Sequence, residues 1–140
     1  MLKDKVAVVT GGADGIGRKI ALELASAGAK IAIMDINLDK AKQTAEEIVE
    51  IGGSAIAIKV NITKSEEVDT GFQQVLAEFG QLDILVNNAG FFRLSKEFKN
   101  MREDEWTNMF DINVYGTLHC CKAVLPHMEE RQSGKIINIA

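Results

Sequence analysis

An α/β fold on a parallel sheet is what this chain predicts, and three observations predict it. Short apolar runs alternate with amphipathic segments of helical period, glycines punctuate the junctions, and no repeat, low-complexity tract or linker interrupts the alternation. Strands buried on both faces read as continuous apolar runs, and parallel strands need crossovers between them, so helices are expected on both sides of the sheet. Right-handed crossovers then leave a doubly wound sheet of five strands, in one domain spanning residues 1–140, as the leading topology.

The first strand is Lys5-Val6-Ala7-Val8-Val9, and it runs into Thr10-Gly11-Gly12-Ala13-Asp14-Gly15-Ile16-Gly17. Ile16, Ile20, Ala21, Leu24 and Ala25 then repeat at helical spacing. Strand, glycine loop and helix in that order suit a phosphate group. The first turn of a helix leaves N–H groups without partners and concentrates partial positive charge there. A diphosphate can dock on them if the backbone comes close, and side chains at Gly11, Gly15 or Gly17 are expected to stand in its way. The spacing is G-x-x-x-G-x-G rather than the commoner G-x-G-x-x-G, so the loop alone also admits a ligand-free turn.

After a stop at Gly28, the second strand is Lys30-Ile31-Ala32-Ile33-Met34-Asp35. Asp35 lies 18 residues beyond Gly17, where a βαβ unit presents the end of its second strand. A carboxylate there accepts hydrogen bonds from adenosine ribose hydroxyls and repels a 2′-phosphate; it could equally serve the start of the next helix near Asn37. With Asp14 in the loop and no arginine directly after Asp35, the preferred cofactor is NAD rather than NADP. Leu38, Ala41, Ala45, Ile48 and Val49 form the apolar face of the second helix, which Gly52-Gly53 ends. Ser54 to Val60 is the third strand, Thr63 and Glu66 have capping-box spacing, and Val68, Phe72, Val75, Leu76 and Phe79 stripe the third helix up to Gly80.

The fourth strand, Leu82 to Val86, leads into Asn87-Asn88-Ala89-Gly90, which is either turn chemistry or a ligand-facing edge. Phe91-Phe92-Arg93 follow; they could line a pocket, although core packing is the commoner fate of a Phe pair. From Asn100 to about Glu130 one long helix is expected, striped by Trp106, Phe110, Val114, Thr117, Cys121, Val124 and Met128, with a kink or early end at Pro126. Lys135 to Ile139 is the fifth strand.

A net charge of −4 without a clustered basic face argues against nucleic acid as a partner. No apolar run reaches membrane-spanning length and no signal-peptide core is visible, so no membrane partner and a cytoplasmic location are expected. Adjacent Cys120 and Cys121 on a helical pattern make a disulfide framework implausible, and with His119 and His127 they supply no converging ligand set, so no metal site is expected.

Taken together, the glycine loop, Asn87-Asn88-Ala89-Gly90, Asn113-Val114-Tyr115-Gly116 (N-x-x-G) and the Lys135–Ile139 strand resemble the short-chain dehydrogenase/reductase family, in the right order and over the whole chain. The resemblance implies a Rossmann-like sheet and an oxidoreductase moving hydride between NAD and a small-molecule secondary alcohol or ketone. It implies that Gly11, Gly15, Ile16 and Gly17 receive the pyrophosphate, Asp35 the ribose, and Asn61 the adenine amino group through its carbonyl. Asn88, Ala89 and Gly90 would lie along the cofactor, with Asn87 tying strands together. Asn113 would be the catalytic asparagine that kinks the helix and holds a relay water; from the residues alone it could equally be a satisfied polar group at a helix irregularity.

The family's serine and Y-x-x-x-K are absent. Tyr115, the one tyrosine, is followed four positions later by His119, so no lysine is placed to lower a phenol pKa from about 10. The chain is therefore expected to carry the N-terminal, cofactor-binding part of a longer enzyme, with an uncovered edge at the fifth strand and an adhesive helix face. The resemblance also implies a homo-oligomer. A non-catalytic nucleotide-binding or assembly module, or a proteolytic fragment, are the alternatives.

Overall fold

The computed structural model describes residues 1–92 and 96–140. Five strands, β1 (Val6–Thr10), β2 (Lys30–Asp35), β3 (Ala55–Lys59), β4 (Ile84–Asn87) and β5 (Lys135–Asn138), form one sheet in the order β3-β2-β1-β4-β5, with every pairing parallel. Side chains alternate across it. Val6, Val8 and Met34 face α3 (Ser65–Phe79) and α5 (Thr117–Arg131), whereas Ala7, Val9 and Ile33 face α1 (Gly15–Ser26) and α2 (Leu38–Glu50). Both faces are covered over β1, β2 and β4, as the continuous apolar strands required, whereas β5 at the edge is largely exposed. The chain leaves β1 toward β2 and β3 on one side and resumes with β4 on the other, so a crevice opens beyond the C-terminal ends of β1 and β4.

Beneath the opposite end of the sheet lies a charge that the sequence did not reveal. Asp83 is buried, and its carboxylate accepts hydrogen bonds from Val6 N (2.8 Å), Gln81 Nε2 (2.8 Å) and Arg131 Nη1 (3.1 Å). Burial works against its charged form, but these donors outweigh burial and hold its carboxyl below the usual carboxylate value. The same Arg131 nitrogen donates to Leu82 O, and the Leu82 N–H donates to His127 Nε2, so the end of α5 is stitched to the start of β4.

Four local expectations are corrected. Thr63 and Glu66 form no capping box: Lys64 is the residue before α3 and lends no side chain, while the Thr63 hydroxyl donates to Asn61 Oδ1 instead. Val49 lies in solvent, and Thr44 takes the buried place on α2 beside Ala41, Ala45 and Ile48. Pro126 does not end α5, which continues five residues further to Arg131. The bond it removes would have reached Lys122, and both residues are exposed, so water can serve the freed carbonyl.

The long helix is also not one stripe. It begins at Glu103 as α4 (Glu103–Phe110), widens into a π-helical segment over Asp111–Gly116, and resumes as α5. The extra residue per turn shifts the phase. Cys120, Val124 and Met128 enter the core, while Phe110, Val114 and Leu118 are exposed on the far side. Gly116 sits where a Cβ would come within 2.5 Å of the Ile62 side chain, so the glycine of N-x-x-G lets this segment lie against the loop after β3.

Candidate dinucleotide site

The crevice at the sheet's C-terminal edge holds a cleft of about 600 Å³ lined by Gly11, Asp14, Gly15, Met34, Asp35, Ile36, Asn61, Ile62, Asn88, Ala89, Gly90 and Phe91, among others. It brings together residues from the ends of β1, β2, β3 and β4, as the motifs implied. Ile16 and Gly17 stand beside it in the first turn of α1.

The three loop glycines serve different ends. At Gly17 a Cβ would lie 2.2 Å from Gly11 O and 2.3 Å from Asn88 Nδ2, and at Gly11 it would lie 2.9 Å from Ala89 Cα. What excludes a side chain at Gly11 is the protein's own β4 turn, and at Gly17 the Gly11 carbonyl together with Asn88 of that turn. At Gly15 nothing lies within 4 Å, φ is +55°, and the residue lines the cleft. Of the three, Gly15 alone has no protein atom near the place of a Cβ. The Gly15 N–H is itself occupied, donating to Asp14 Oδ1 at 2.8 Å. That leaves Ile16 and Gly17 as N–H groups for which helix geometry provides no internal acceptor.

The loop is held from three sides. Asp35 Oδ2 accepts from Ala13 N (3.2 Å), while its Oδ1 accepts from Asn37 N (2.9 Å), so this carboxylate serves both the loop and the approach to α2. Thr44 Oγ1 donates to Ala13 O at 3.3 Å, and Arg18 pairs with Glu47 across α1 and α2. Lys40 Nζ donates to Asp14 Oδ2 at 2.9 Å. Hydrogen bonding to Lys40, then to the Gly15 N–H, holds the Asp14 carboxyl below its ordinary value, and the same bond to Asp14 holds the Lys40 ammonium above its own.

Thr10, buried at the end of β1, was missed as a site residue. Its hydroxyl accepts from Asn88 N (3.1 Å) and Ala89 N (3.0 Å), fixing the β4 turn over the glycine loop. Its place in the loop motif was the signal that could have found it. Asn88 turns inward, donating from Nδ2 to Thr10 O and Gly11 O, both at 3.2 Å. Asn87 Nδ2 donates to Asn138 Oδ1 (2.9 Å), tying β4 to β5.

Asn61 Oδ1 already accepts from Thr63 N (3.0 Å) and Thr63 Oγ1 (2.7 Å). The Asn61 carbonyl is thus engaged within the chain, and the amide Nδ2 is the group left to face the cleft. Asn113 lies in the π-helical segment, as its expected irregularity required, and its amide pairs with the Phe91 backbone: Oδ1 accepts from Phe91 N (2.9 Å) and Nδ2 donates to Phe91 O (2.6 Å). Phe91 lines the cleft and Phe92 is exposed, so neither packs in the core; Arg93 lies outside the described residues. Replacing Asn113 with alanine should loosen the segment after Gly90, read as faster amide hydrogen exchange at Phe91, with no change in global stability beyond about 1 kcal/mol. Unaltered exchange at Phe91 would contradict the clamp.

The histidines are engaged with backbone: His119 Nδ1 lies 2.7 Å from Ile62 O, and His127 Nε2 accepts from Leu82 N. Burial, and then the adjacent Cys121, push the Cys120 thiol up to about 12, which makes it inert packing. Among the described residues, no three His, Cys, Asp or Glu side chains converge as a metal cluster, and no helix is long and apolar enough to cross a membrane.

Residues 5–140 match the family model described as short chain dehydrogenase. An uncharacterised oxidoreductase of Staphylococcus aureus is 42% identical over 140 residues, covering 100% of this chain and 59% of the relative. A 3-oxoacyl-[acyl-carrier-protein] reductase of Staphylococcus epidermidis is 40% identical over 137 residues, covering 97% of this chain and 56% of the relative. The chain thus spans little more than half the length of the curated relatives it matches. With its sheet order, glycine loop and family match in agreement, the chain belongs to the short-chain dehydrogenase family.

Proposed function

We propose that the cleft binds the adenosine and diphosphate of NAD, and that this chain is the cofactor-binding part of an oxidoreductase that moves hydride between the nicotinamide and a secondary alcohol or ketone. One observation carries the reading: the open backbone at Gly15, at the tip of α1, shares a single cleft with the Asp35 carboxylate at the tip of β2. The Ile16 and Gly17 N–H groups hold the diphosphate, with Gly11 and Gly15 providing the approach. Asp35 accepts from the ribose hydroxyls through its remaining lone pairs, and Asn61 meets the adenine from Nδ2. The exposed Ile16 and Ile36 flank the cleft and would be covered by the cofactor.

When bound, the dinucleotide supplies the hydride acceptor or donor; the rest is positioning by this chain. Asn88 and Thr10 lock the β4 turn onto the glycine loop, so that Ala89 and Gly90 form a fixed wall along the cofactor. Asn113 holds the following segment by its paired bonds to Phe91, which makes it a positioning residue in this chain; the water relay implied by the resemblance would run past that segment.

Calorimetric titration of Asp35→Asn should weaken NAD about tenfold and narrow the difference between NAD and NADP. Unchanged affinity for both would remove Asp35 from the site. Hydride transfer is tested by the coding sequence downstream of Ala140, where a serine followed by Y-x-x-x-K is expected. Their absence there would leave a nucleotide-binding module.

The exposed Phe110, Val114 and Leu118 face would be covered by a second subunit. Light scattering should therefore report a dimer or larger, and Val114→Lys should shift it toward monomer; a wild-type monomer at micromolar concentration would contradict this.

A further inference from the structure

We infer that His119 is a positioning residue for the base end of the cleft: by holding Ile62 through its carbonyl oxygen, it sets the apolar wall on which a purine packs. This rests on the reading that the cleft takes the adenosine half of a dinucleotide. It gives α5 a part in binding without any contact between His119 and the ligand.

Beside the polar Asp35 and Asn61, the cleft lining includes Met34 from β2, Val60 and Ile62 from the chain just after β3, and Ile112 from the π-helical segment. A flat purine gains from such a lining by close contact, and a gap of about 0.5–1 Å forfeits a quarter to a half of each contact. The wall must therefore be held in place before the ligand arrives.

The loop's own hydrogen bonds centre on Asn61. Its N–H donates to Glu67 Oε2 (2.8 Å), its carbonyl accepts from Lys64 N (3.0 Å), and its Oδ1 takes both bonds from Thr63. These shape the loop and its entry into α3. Ile62 is instead gripped from the helix layer. Its side chain lies where a Cβ at Gly116 would come within 2.5 Å, and three residues further on His119 Nδ1 stands 2.7 Å from Ile62 O. A carbonyl oxygen can only accept, so Nδ1 carries the proton and donates it, in the neutral ring and the protonated ring alike. Ile62 is buried and His119 half-buried, so water competes little for this bond.

The bond is tested first on the unaltered chain. Long-range ¹H–¹⁵N spectra of the neutral His119 ring should show Nδ1 protonated and Nε2 bare; the opposite tautomer would overturn the inference, and no substitution is needed to see it. The second test titrates the 140-residue chain with ADP-ribose by calorimetry, with folding of each variant checked by circular dichroism. His119→Leu fills a similar space without the donor and should weaken ADP-ribose about tenfold. His119→Asn returns an N–H near the place of Nδ1 and should recover affinity to within about threefold of the wild type. Equal losses in the two variants would mean that His119 only fills space, and unchanged affinity in His119→Leu would remove it from the site; either result overturns the inference. Failure of the unaltered chain to bind ADP-ribose would instead overturn the reading of the cleft itself.

Discussion

Alanine at Gly17 is expected to cost the fold about 3 kcal/mol and to abolish nucleotide binding together with it. Its Cβ would lie 2.2 Å from the Gly11 carbonyl oxygen, a backbone atom that cannot swing aside, and 2.3 Å from Asn88 Nδ2, which bonds the same loop. Relief requires α1 to withdraw from the β4 turn. That would separate the Ile16 and Gly17 N–H groups from the end of β1 and break the Asn88 bonds to Thr10 and Gly11. Gly15→Ala is the informative contrast. No atom waits within 4 Å, so the fold bears only the cost of a left-handed alanine, about 1 kcal/mol, whereas the residue itself lines the cleft. Denaturant titration should find Gly15→Ala nearly as stable as the wild type, yet at least about tenfold weaker for ADP-ribose. Equal destabilisation by the two substitutions would mean that the division of labour among these glycines is wrong.

Removing the Asp83 carboxylate is the second large effect. Asp83→Ala leaves the Val6 N–H without its acceptor and deprives Arg131 of its partner charge in a part-buried setting, so a loss of about 3 kcal/mol is expected. For a chain of this length that corresponds to a fall in Tm of roughly 10 °C. The pH dependence follows from the direction of the shift. The folded-state carboxyl lies below its ordinary value, so its contribution is complete above the unfolded value, near pH 4, and is lost as pH falls through the lower folded value. Asp83→Asn should accordingly flatten the acid limb of the stability curve below about pH 4. An acid limb identical to that of the wild type would assign the acid sensitivity to other carboxylates.

The sheet and its layers were legible because the strands are uniform apolar runs and because glycines close α1, α2 and α3 where the periodicity stops. The site was legible as motifs, but the chemistry within the motifs was not. Gly11 and Gly17 look alike with Gly15 on the page, and only the approach of the β4 turn, more than 70 residues away in sequence, separates packing from access. The pairing of Asn61 with Thr63, two residues on, was local and could have been anticipated as a side-chain turn; the capping-box spacing of Thr63 and Glu66 drew the same threonine to the wrong partner. The π-helical segment was marked only by the kink that the family resemblance implied at Asn113, since Asp111 to Gly116 contains no breaker before its final glycine. Asp83 was hidden for a similar reason: a single acid inside a strand-like run says nothing of the arginine 48 residues later that meets it.

The central claim is that the tip of α1 grips a diphosphate. Its most direct test is a ¹⁵N-resolved NMR titration of this chain with ADP-ribose, following the backbone amides. The largest shifts are predicted at Ile16 and Gly17, with smaller ones at Gly15, Asp35 and Asn61. Saturable binding that leaves the Ile16 and Gly17 amides unmoved would contradict the account.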